Sequence, residues 1–411
     1  NFQVITVPTT STFTITQSSN ATATVSTGGS LSIKPFEPVG PRAQSYGYGW
    51  GIDTWGTGNW GEAASASDIS LEPGLWSLSN FGEVLIATIG NGKTFTWNAG
   101  AGSPLTTRAS TTTSNFQTNN NPTATRITLT SPTTRHLIHL GTETTIGNTS
   151  TQDDMFIRFS DREAINVYTP TATNTAGSQR LQDGTKIMSA IRSKENILVW
   201  TDNSLYLMKF VGAPFTFGFE QVGTNCGIIG KNAVIQIDGA AFWMSSKGFF
   251  LYDGTVKSLP CSVEDFVYDN FDTTKGQQVY AGLNNLYTEI VWYYPSNGSE
   301  YNDKYVVYNY GEGTWYTGTE ARTTWIDATV YQNPFATKYD SNSSGTFPVI
   351  VGESGLGQTT YFEHEVGTDQ VNPDGTTTTV TSFIQSFDFD ISSTISIYDI
   401  IKSLYNNSYY Q

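Results

Sequence analysis

Basic residues are scarce in this chain, which carries 21 Lys and Arg against 36 Asp and Glu and a formal net charge of −15. Affinity for nucleic acid depends largely on the counterions that Lys and Arg displace from phosphates. Tight binding of DNA or RNA is therefore not expected. An anionic surface can still act beside DNA, because it repels phosphate and keeps DNA from sticking.

Cysteine and long apolar runs are also scarce. Cys226 and Cys261 are the two cysteines of the chain. Two thiols do not make a disulfide framework, and we expect small buried thiols in preference to a bridge. No run of 18 apolar residues is present, so no membrane-spanning helix is predicted.

Histidine is limited to His136, His139 and His364. On a strand, the odd spacing of the first two directs them to opposite faces, so they cannot chelate one ion together. His364 has no second histidine at helical spacing and is expected at a surface strand end. No metal site and no cofactor is predicted.

Aromatic, glycine and β-branched residues are plentiful and follow a repeating pattern. Six units each place an apolar β-branched run before a Gly, Asn or Asp turn and a run ending in aromatics. They span residues 83–97, 135–159, 196–210, 233–252, 289–315 and 349–362. Units about 40–55 residues apart are typical of propeller blades. With no helical stretch between units, the pattern predicts an all-β, β-propeller-like fold of about six antiparallel blades.

The flanking segments differ from the repeats and suggest three parts. Residues 1–70 are predicted as an N-terminal β arm and a Gly/Trp-rich loop, with Gly28 and Gly29 turning the arm. Residues 71–370 are predicted as the propeller, with long polar surface loops at 106–121 and 335–346. Residues 371–411 are predicted as a closing strand, near 376–389, and a C-terminal segment.

The Gly/Trp-rich loop is the main candidate site. Glycine permits close approach of the backbone, and the interleaved rings can stack or fill grooves. Three interpretations stay open: a loop packed under its own aromatics, a contact between subunits, or a glycan site. The candidate subunit-interface residues are Tyr46, Tyr48, Trp50, Trp55 and Trp60.

Catalytic patterns are weak. Ser354 lies in GESGLG, which lacks the glycine expected two residues after the serine of a nucleophile elbow. Asp153 with Asp154, or Asp388 with Asp390, could in principle form an acid/base pair, but nothing directs them to one cleft. The chain is therefore predicted not to be an enzyme, and no catalytic residue is assigned.

The order of several short segments resembles the tail hub or nozzle proteins of short-tailed bacteriophages, also called phage stabilisation proteins. The similarity extends over about residues 10–391 and differs after Ile391. The segments that carry it are 47–51, 54–56, 59–61, 75–82, 156–161, 174–177, 197–202, 215–218, 225–227, 259–261, 305–310, 362–367 and 386–391.

This resemblance implies a structural virion protein, assembled in the bacterial host cytoplasm. Such a protein would be a homohexamer, a six-fold ring with a channel-forming β part beside the propeller. It would lie below the portal and adaptor, contact tail-fibre proteins, seal the tail and let DNA pass during ejection without specific binding. Two other classes stay open from the residues: a carbohydrate-binding β-propeller or adhesin, and a hydrolytic propeller enzyme.

Overall fold

The computed structural model describes residues 4–9, 12–15, 74–98, 109, 121–328, 332–340, 358–364, 370–371 and 377–378. The chain divides into two compact units, Asn1–His364 and Glu365–Gln411. In the second unit, the strands described are a short antiparallel pair at Gln370–Val371 and Thr377–Thr378. All elements discussed below belong to the first unit.

The first unit begins with a hairpin and two sheets, each antiparallel and each in simple chain order. The hairpin is β1 (Val4–Thr9) and β2 (Thr12–Ile15). Sheet 1 contains β3 (Trp76–Phe81), β4 (Val84–Ile89) and β5 (Thr94–Asn98). Sheet 2 contains β6 (Thr125–Thr130), β7 (Leu137–Thr142), β8 (Phe156–Phe159) and β9 (Gly177–Arg180).

Three four-stranded sheets follow in the same meander order. Sheet 3 contains β10 (Ile187–Ser193), β11 (Asn196–Thr201), β12 (Leu205–Gly212) and β13 (Thr216–Gly223). Sheet 4 contains β14 (Val234–Ile237), β15 (Ala240–Ser245), β16 (Gly248–Tyr252) and β17 (Val256–Leu259). Sheet 5 contains β18 (Tyr280–Asn284), β19 (Glu289–Tyr294), β20 (Lys304–Asn309) and β21 (Thr314–Thr319).

Sheet 6 completes the series with β22 (Thr324–Ile326), β23 (Phe335–Asp340) and β24 (Gln358–Glu363). A single α-helix of the described residues, α1 (Glu264–Asn270), lies between sheets 4 and 5. Short 3₁₀ turns occupy Thr149–Thr151, Thr273–Gln278 and Asn285–Tyr287. The chain is all-β and β-propeller-like, as the repeats predict.

Local sequence explains why these strands form hairpins. Between β14 and β15 the turn residues Asp238 and Gly239 have φ of 49° and 95°. Positive φ at both positions is the requirement of a type I′ turn, whose twist matches that of the paired strands. The second strand of sheets 3, 4 and 5 is almost continuously apolar and buried. Such runs indicate strands that are covered on both faces.

Each sheet packs against the next one along the chain. The main cluster joins sheets 3, 4 and 5 through three tryptophans, Trp200, Trp243 and Trp292. A second cluster joins sheets 2 and 3, a third joins sheets 5 and 6, and a small one around Ile86 and Leu137 joins sheets 1 and 2. The core therefore lies between the sheets.

Several sequence predictions can be compared with this architecture. The first five repeat units fall on paired strands of sheets 1 to 5. Near the N-terminus, Val4–Thr9 pairs with Thr12–Ile15 as a hairpin, whereas Gly28 and Gly29, the predicted turn of the arm, lie outside the described residues. Residues 335–340, predicted as loop, form the middle strand of sheet 6 because their backbone pairs on both sides. The helix α1 contradicts the expectation of no helix between units. Cys226 and Cys261 are free thiols; Cys226 is buried as predicted, whereas Cys261 is only partly buried.

Other predictions lie outside the described residues or stay predictions. The loop at 106–121 and the proposed closing strand at 376–389 fall mostly there. The three-part domain division also stays a prediction. Among the described residues, no helix is both long and apolar enough to cross a membrane.

The three core tryptophans give a direct test of this packing. Trp200 and Trp243 are both fully buried, with ring centroids 5.4 Å apart. The indole Nε1 of Trp243 donates to the Cys226 carbonyl at 2.8 Å, whereas that of Trp200 has no hydrogen-bond partner. Trp243→Phe should therefore cost about 1–2 kcal/mol more stability than Trp200→Phe, since only the first leaves a buried carbonyl unpaired. Urea unfolding of both variants measures the difference, and equal losses would contradict the assignment.

Candidate functional site

The predicted interface residues Tyr46, Tyr48, Trp50, Trp55 and Trp60 lie outside the described residues. So do Ser354, Asp388 and Asp390. The structure instead directs attention to a pocket that the sequence did not indicate. We call it the strand-start pocket, because the segments that line it are mainly those that open successive sheets.

The strand-start pocket is partly open and has a volume of about 30 Å³. Sheets 1, 2 and 3 contribute residues at or near their first strands, and the segments leading into sheets 4 and 5 contribute one residue each. First strands of neighbouring sheets lie against one another, which brings their beginnings together. The lining residues are Leu75, Gly90, Asn91, Arg126, Ile127, Ile187, Met188, Lys231 and Gln277.

Lys231 is the polar centre of the pocket. Its Nζ donates to the Trp76 carbonyl at 2.8 Å and to Ser77 Oγ at 2.7 Å. Its own carbonyl accepts from Ser189 Oγ at 2.6 Å. A single residue between sheets 3 and 4 thus holds the first strands of sheets 1 and 3.

Arg126 supplies a second positive charge to the same pocket. Its Nε donates to the Ile187 carbonyl at 3.0 Å, and its Nη1 lies 3.4 Å from Asp154 Oδ2. Its side chain is 10% exposed, whereas that of Asp154 is 41% exposed. A mostly buried arginine is thus paired with a carboxylate that is in part exposed.

Burial and, to a smaller extent, the nearby Arg126 charge together lower the pKa of Lys231 to about 7. Withdrawal from water disfavours the charged form of an amine, and a like charge adds to that effect. A lysine that titrates near neutral pH is unusual, and perturbed groups of this kind concentrate at functional sites.

The two histidines of sheet 2 have structural roles. His139 is fully buried and shares hydrogen bonds with Thr125 Oγ1 at 3.2 Å and Tyr168 Oη at 2.9 Å. His136, also fully buried, bonds Thr134 and Thr175 through its two ring nitrogens. The two rings thus bond to different partners.

The remaining candidates are held in contacts with arginine. His364 follows β24 but is partly buried rather than at the surface, where Arg322 Nε donates to its Nε2 at 2.9 Å. Asp153 pairs with Arg180 at 2.6 Å, and Asp154 pairs with Arg126. In this structure these two adjacent carboxylates face different arginines. Among the described residues, no group of three or more His, Cys, Asp or Glu is arranged to hold a metal ion.

The lowered pKa values of His136 and His139 make the free energy of unfolding depend on pH. Burial lowers the pKa of His136 to about 4 and that of His139 to about 3. Unfolded histidine takes up a proton near pH 6.5. Between pH 6.5 and 4 the unfolded chain thus binds more protons, so stability present above pH 6.5 is lost as pH falls.

We expect His139→Gln to reduce the slope of the unfolding free energy against pH by about 1.4 kcal/mol per pH unit in that range. This is the slope that arises when the unfolded chain binds one proton more than the folded chain. Urea unfolding at pH 6.0, 5.0 and 4.5 measures the slope for the variant and the parent. His136→Gln serves as an independent second test at the same pH values. An unchanged slope in both variants would contradict the buried, neutral state of these rings.

Comparison with known proteins gives no family. No protein-family model and no curated protein matches the chain. Similar solved structures include Hsv2 of Kluyveromyces lactis, at 10% identity and a TM-score of 0.33, covering 59% of this chain and 62% of that one. BamB of Moraxella catarrhalis is 12% identical with a TM-score of 0.35, and the match covers 66% of this chain and 71% of that one. Sqt1 of Saccharomyces cerevisiae is 7% identical with a TM-score of 0.35, and the match covers 64% of this chain and 80% of that one. The chain thus spans less than two thirds of the Hsv2 chain, and similarity of this degree carries no argument about function.

Proposed function

We propose that this chain is a structural protein of a bacteriophage tail, a ring-forming nozzle or hub that seals the tail and lets DNA pass. The observation that carries the proposal is the way its sheets are joined. Side chains of one sheet repeatedly hydrogen-bond the main chain or hydroxyls of the next. A platform that transmits load requires this kind of connection.

The joining contacts occur at every successive pair of sheets. Sheets 1 and 2 share the Thr128–Thr88 bond at 2.8 Å, and sheets 2 and 3 share the Arg126 bond to the Ile187 carbonyl. Gln236 Nε2 of sheet 4 donates to Ser193 Oγ of sheet 3 at 2.9 Å. Indole nitrogens complete the series, from Trp292 to the Ala233 carbonyl at 3.1 Å and from Trp325 to the Leu283 carbonyl at 2.8 Å.

Exposed apolar side chains favour assembly with other subunits. The hairpin between β12 and β13 carries Phe210, Val211 and Phe215, which are 42%, 49% and 77% exposed. Grouped apolar residues on a surface commonly mark contacts between proteins. Aromatic anchors of this type dominate the energy of such contacts.

The charge balance suits a conduit for DNA. A net charge of −15 opposes retention of phosphate on the surface. One of the two cations of the strand-start pocket, Arg126, has a side chain that is only 10% exposed. DNA could therefore pass without specific binding.

The proposal predicts a cyclic oligomer whose assembly depends on the Gly/Trp-rich loop. Purified protein, or particles that contain it, should show a six-fold ring by electron microscopy. Replacing Trp50, Trp55 and Trp60 together by Ala should shift the sedimentation profile toward monomer. Removal of buried aromatic anchors typically costs an interface 2 kcal/mol or more, roughly a thirtyfold loss of affinity.

The matched control is Trp76→Ala, because Trp76 is 42% exposed on sheet 1 and lies outside the loop. This variant should assemble like the parent. If the protein were a monomer in the assembled particle, the nozzle proposal would be wrong. Glycan-array binding that the triple variant loses, in a protein that stays monomeric, would favour the carbohydrate-binding propeller instead.

A further inference from the structure

We propose that the contact between His364 and Arg322 is an acid-sensitive latch, which holds the end of sheet 6 and opens when the imidazole takes up a proton, before the other sheets open. We call this contact the His364 latch. The inference goes beyond the proposed tail function and does not depend on it. It rests on the direction of one hydrogen bond, on the groups around it and on the place of His364 in the chain.

The latch is a hydrogen bond that a protonated imidazole cannot make. Arg322 Nε donates to His364 Nε2 at 2.9 Å. A guanidinium has donors only and keeps its charge in proteins, so this imidazole nitrogen is the acceptor and carries no proton. A proton added there would turn the acceptor into a donor that faces another donor. The hydrogen bond would then be replaced by repulsion between two cations.

Arg322 is held in place by other contacts. It lies in residues 320–323, the segment that joins β21 to β22. Its Nη2 donates to Glu320 Oε1 at 2.6 Å, and its Nη1 donates to the Ala321 carbonyl at 2.8 Å. The side chain of Arg322 is 9% exposed. Because Arg322 would have to break an ion pair to turn away, His364 is the partner that we expect to move.

His364 covers the residue that anchors sheet 6 to sheet 5. Its ring lies 4.7 Å from that of Trp325, centroid to centroid. The indole of Trp325 donates to the Leu283 carbonyl of β18 at 2.8 Å. It also lies against Gly282, where a Cβ atom would come within 2.6 Å of Trp325 Cγ. Displacement of His364 would therefore uncover one side of this anchor.

The position of the latch makes its opening local. The apolar cluster described between sheets 5 and 6 is small, with Val291, Tyr293, Val307, Trp325 and Ala336 as its buried members, whereas the cluster that joins sheets 3, 4 and 5 is much larger. Parts of a fold with few buried apolar contacts open first. His364 is also the last residue of the first unit. Release would thus free the chain where it leaves that unit.

The groups that face the latch come from several elements. Among the described residues, the titratable ones are Arg322 and Glu320 of the joining segment and Tyr293 of β19, whose ring lies 6.1 Å from that of Trp325. The Pro334 carbonyl, which accepts from the His364 N–H at 2.8 Å, does not titrate. The acid response of the latch therefore depends on His364 and Glu320.

The two groups respond to acid with opposite signs. Burial and, to a smaller extent, the Arg322 charge lower the pKa of His364 to about 4, below the 6.5 of an exposed histidine. Opening therefore takes up a proton, so the latch is fully stable above pH 6.5 and weakens as the pH falls toward 4. Burial raises the pKa of Glu320, which favours the closed form in acid. A variant of His364 alone separates the two effects.

The test is amide hydrogen exchange of the full chain at pH 7.5 and pH 4.5, expressed as protection factors so that the intrinsic effect of pH cancels. In the parent, protection of β24 should fall by up to about seventyfold relative to that of β19, as the pKa values of 6.5 and about 4 require. His364→Gln keeps an acceptor for Arg322 but does not titrate, so its fall should be at least about tenfold smaller. His136→Gln is the matched control, because it removes a buried histidine of sheet 2 and should leave the fall at β24 unchanged.

Three outcomes would overturn the proposal: no fall at β24 in the parent, an equal fall in β19, or an equal fall in folded His364→Gln. A measurement on the unaltered protein replaces the variant if His364→Gln does not fold. The imidazole signals of His364, followed by NMR, should titrate below pH 6.5 together with the loss of β24 protection. Titration of His364 near pH 6.5 while β24 stays protected would show that the latch does not exist.

Discussion

The fold depends on burial of each sheet by its neighbours. A meander of three or four short strands exposes two faces, and one such sheet cannot cover its own apolar side chains. Trp200, Trp243 and Trp292 occupy the second strand of sheets 3, 4 and 5 and are completely buried between them. Each sheet is therefore stable only as part of the series, and damage at one interface exposes surface on two sheets.

Polar groups give this packing its register. The interface between sheets 1 and 2 is built largely from hydroxyls, including buried Ser79, Thr88, Thr128 and Thr130. Thr128 donates to Thr88, and Ser79 donates to Thr130 at 3.0 Å. Apolar contacts tolerate sliding of one sheet over another, whereas a network of satisfied hydrogen bonds specifies one arrangement. The same principle applies to Trp243, Trp292 and Trp325, whose indole N–H groups donate to main-chain carbonyls at the interfaces.

The repeats could be found from sequence because their signals are local. Apolar runs such as 196–201 and turns such as Asp238-Gly239 depend on neighbouring residues alone. The strand Phe335–Asp340 was missed because its composition is polar, and its pairing with β22 and β24 involves main-chain groups that composition does not reveal. Lys231 could not be identified either, since its partners Trp76 and Ser77 are about 155 residues away in sequence. Its significance arises only when the first strands meet.

Charge is distributed unevenly between surface and interior. The chain as a whole is strongly anionic, yet the strand-start pocket brings two of its few cations close together. Burial alone would favour neutral side chains there, as it does for His136 and His139, whose pKa values it lowers. Arg126 is paired there with Asp154, whose side chain is 41% exposed. Arg126 donates to the Ile187 carbonyl, and Lys231 donates to the Trp76 carbonyl and Ser77 Oγ, so the two buried cations spend their hydrogen bonds on joining one sheet to another.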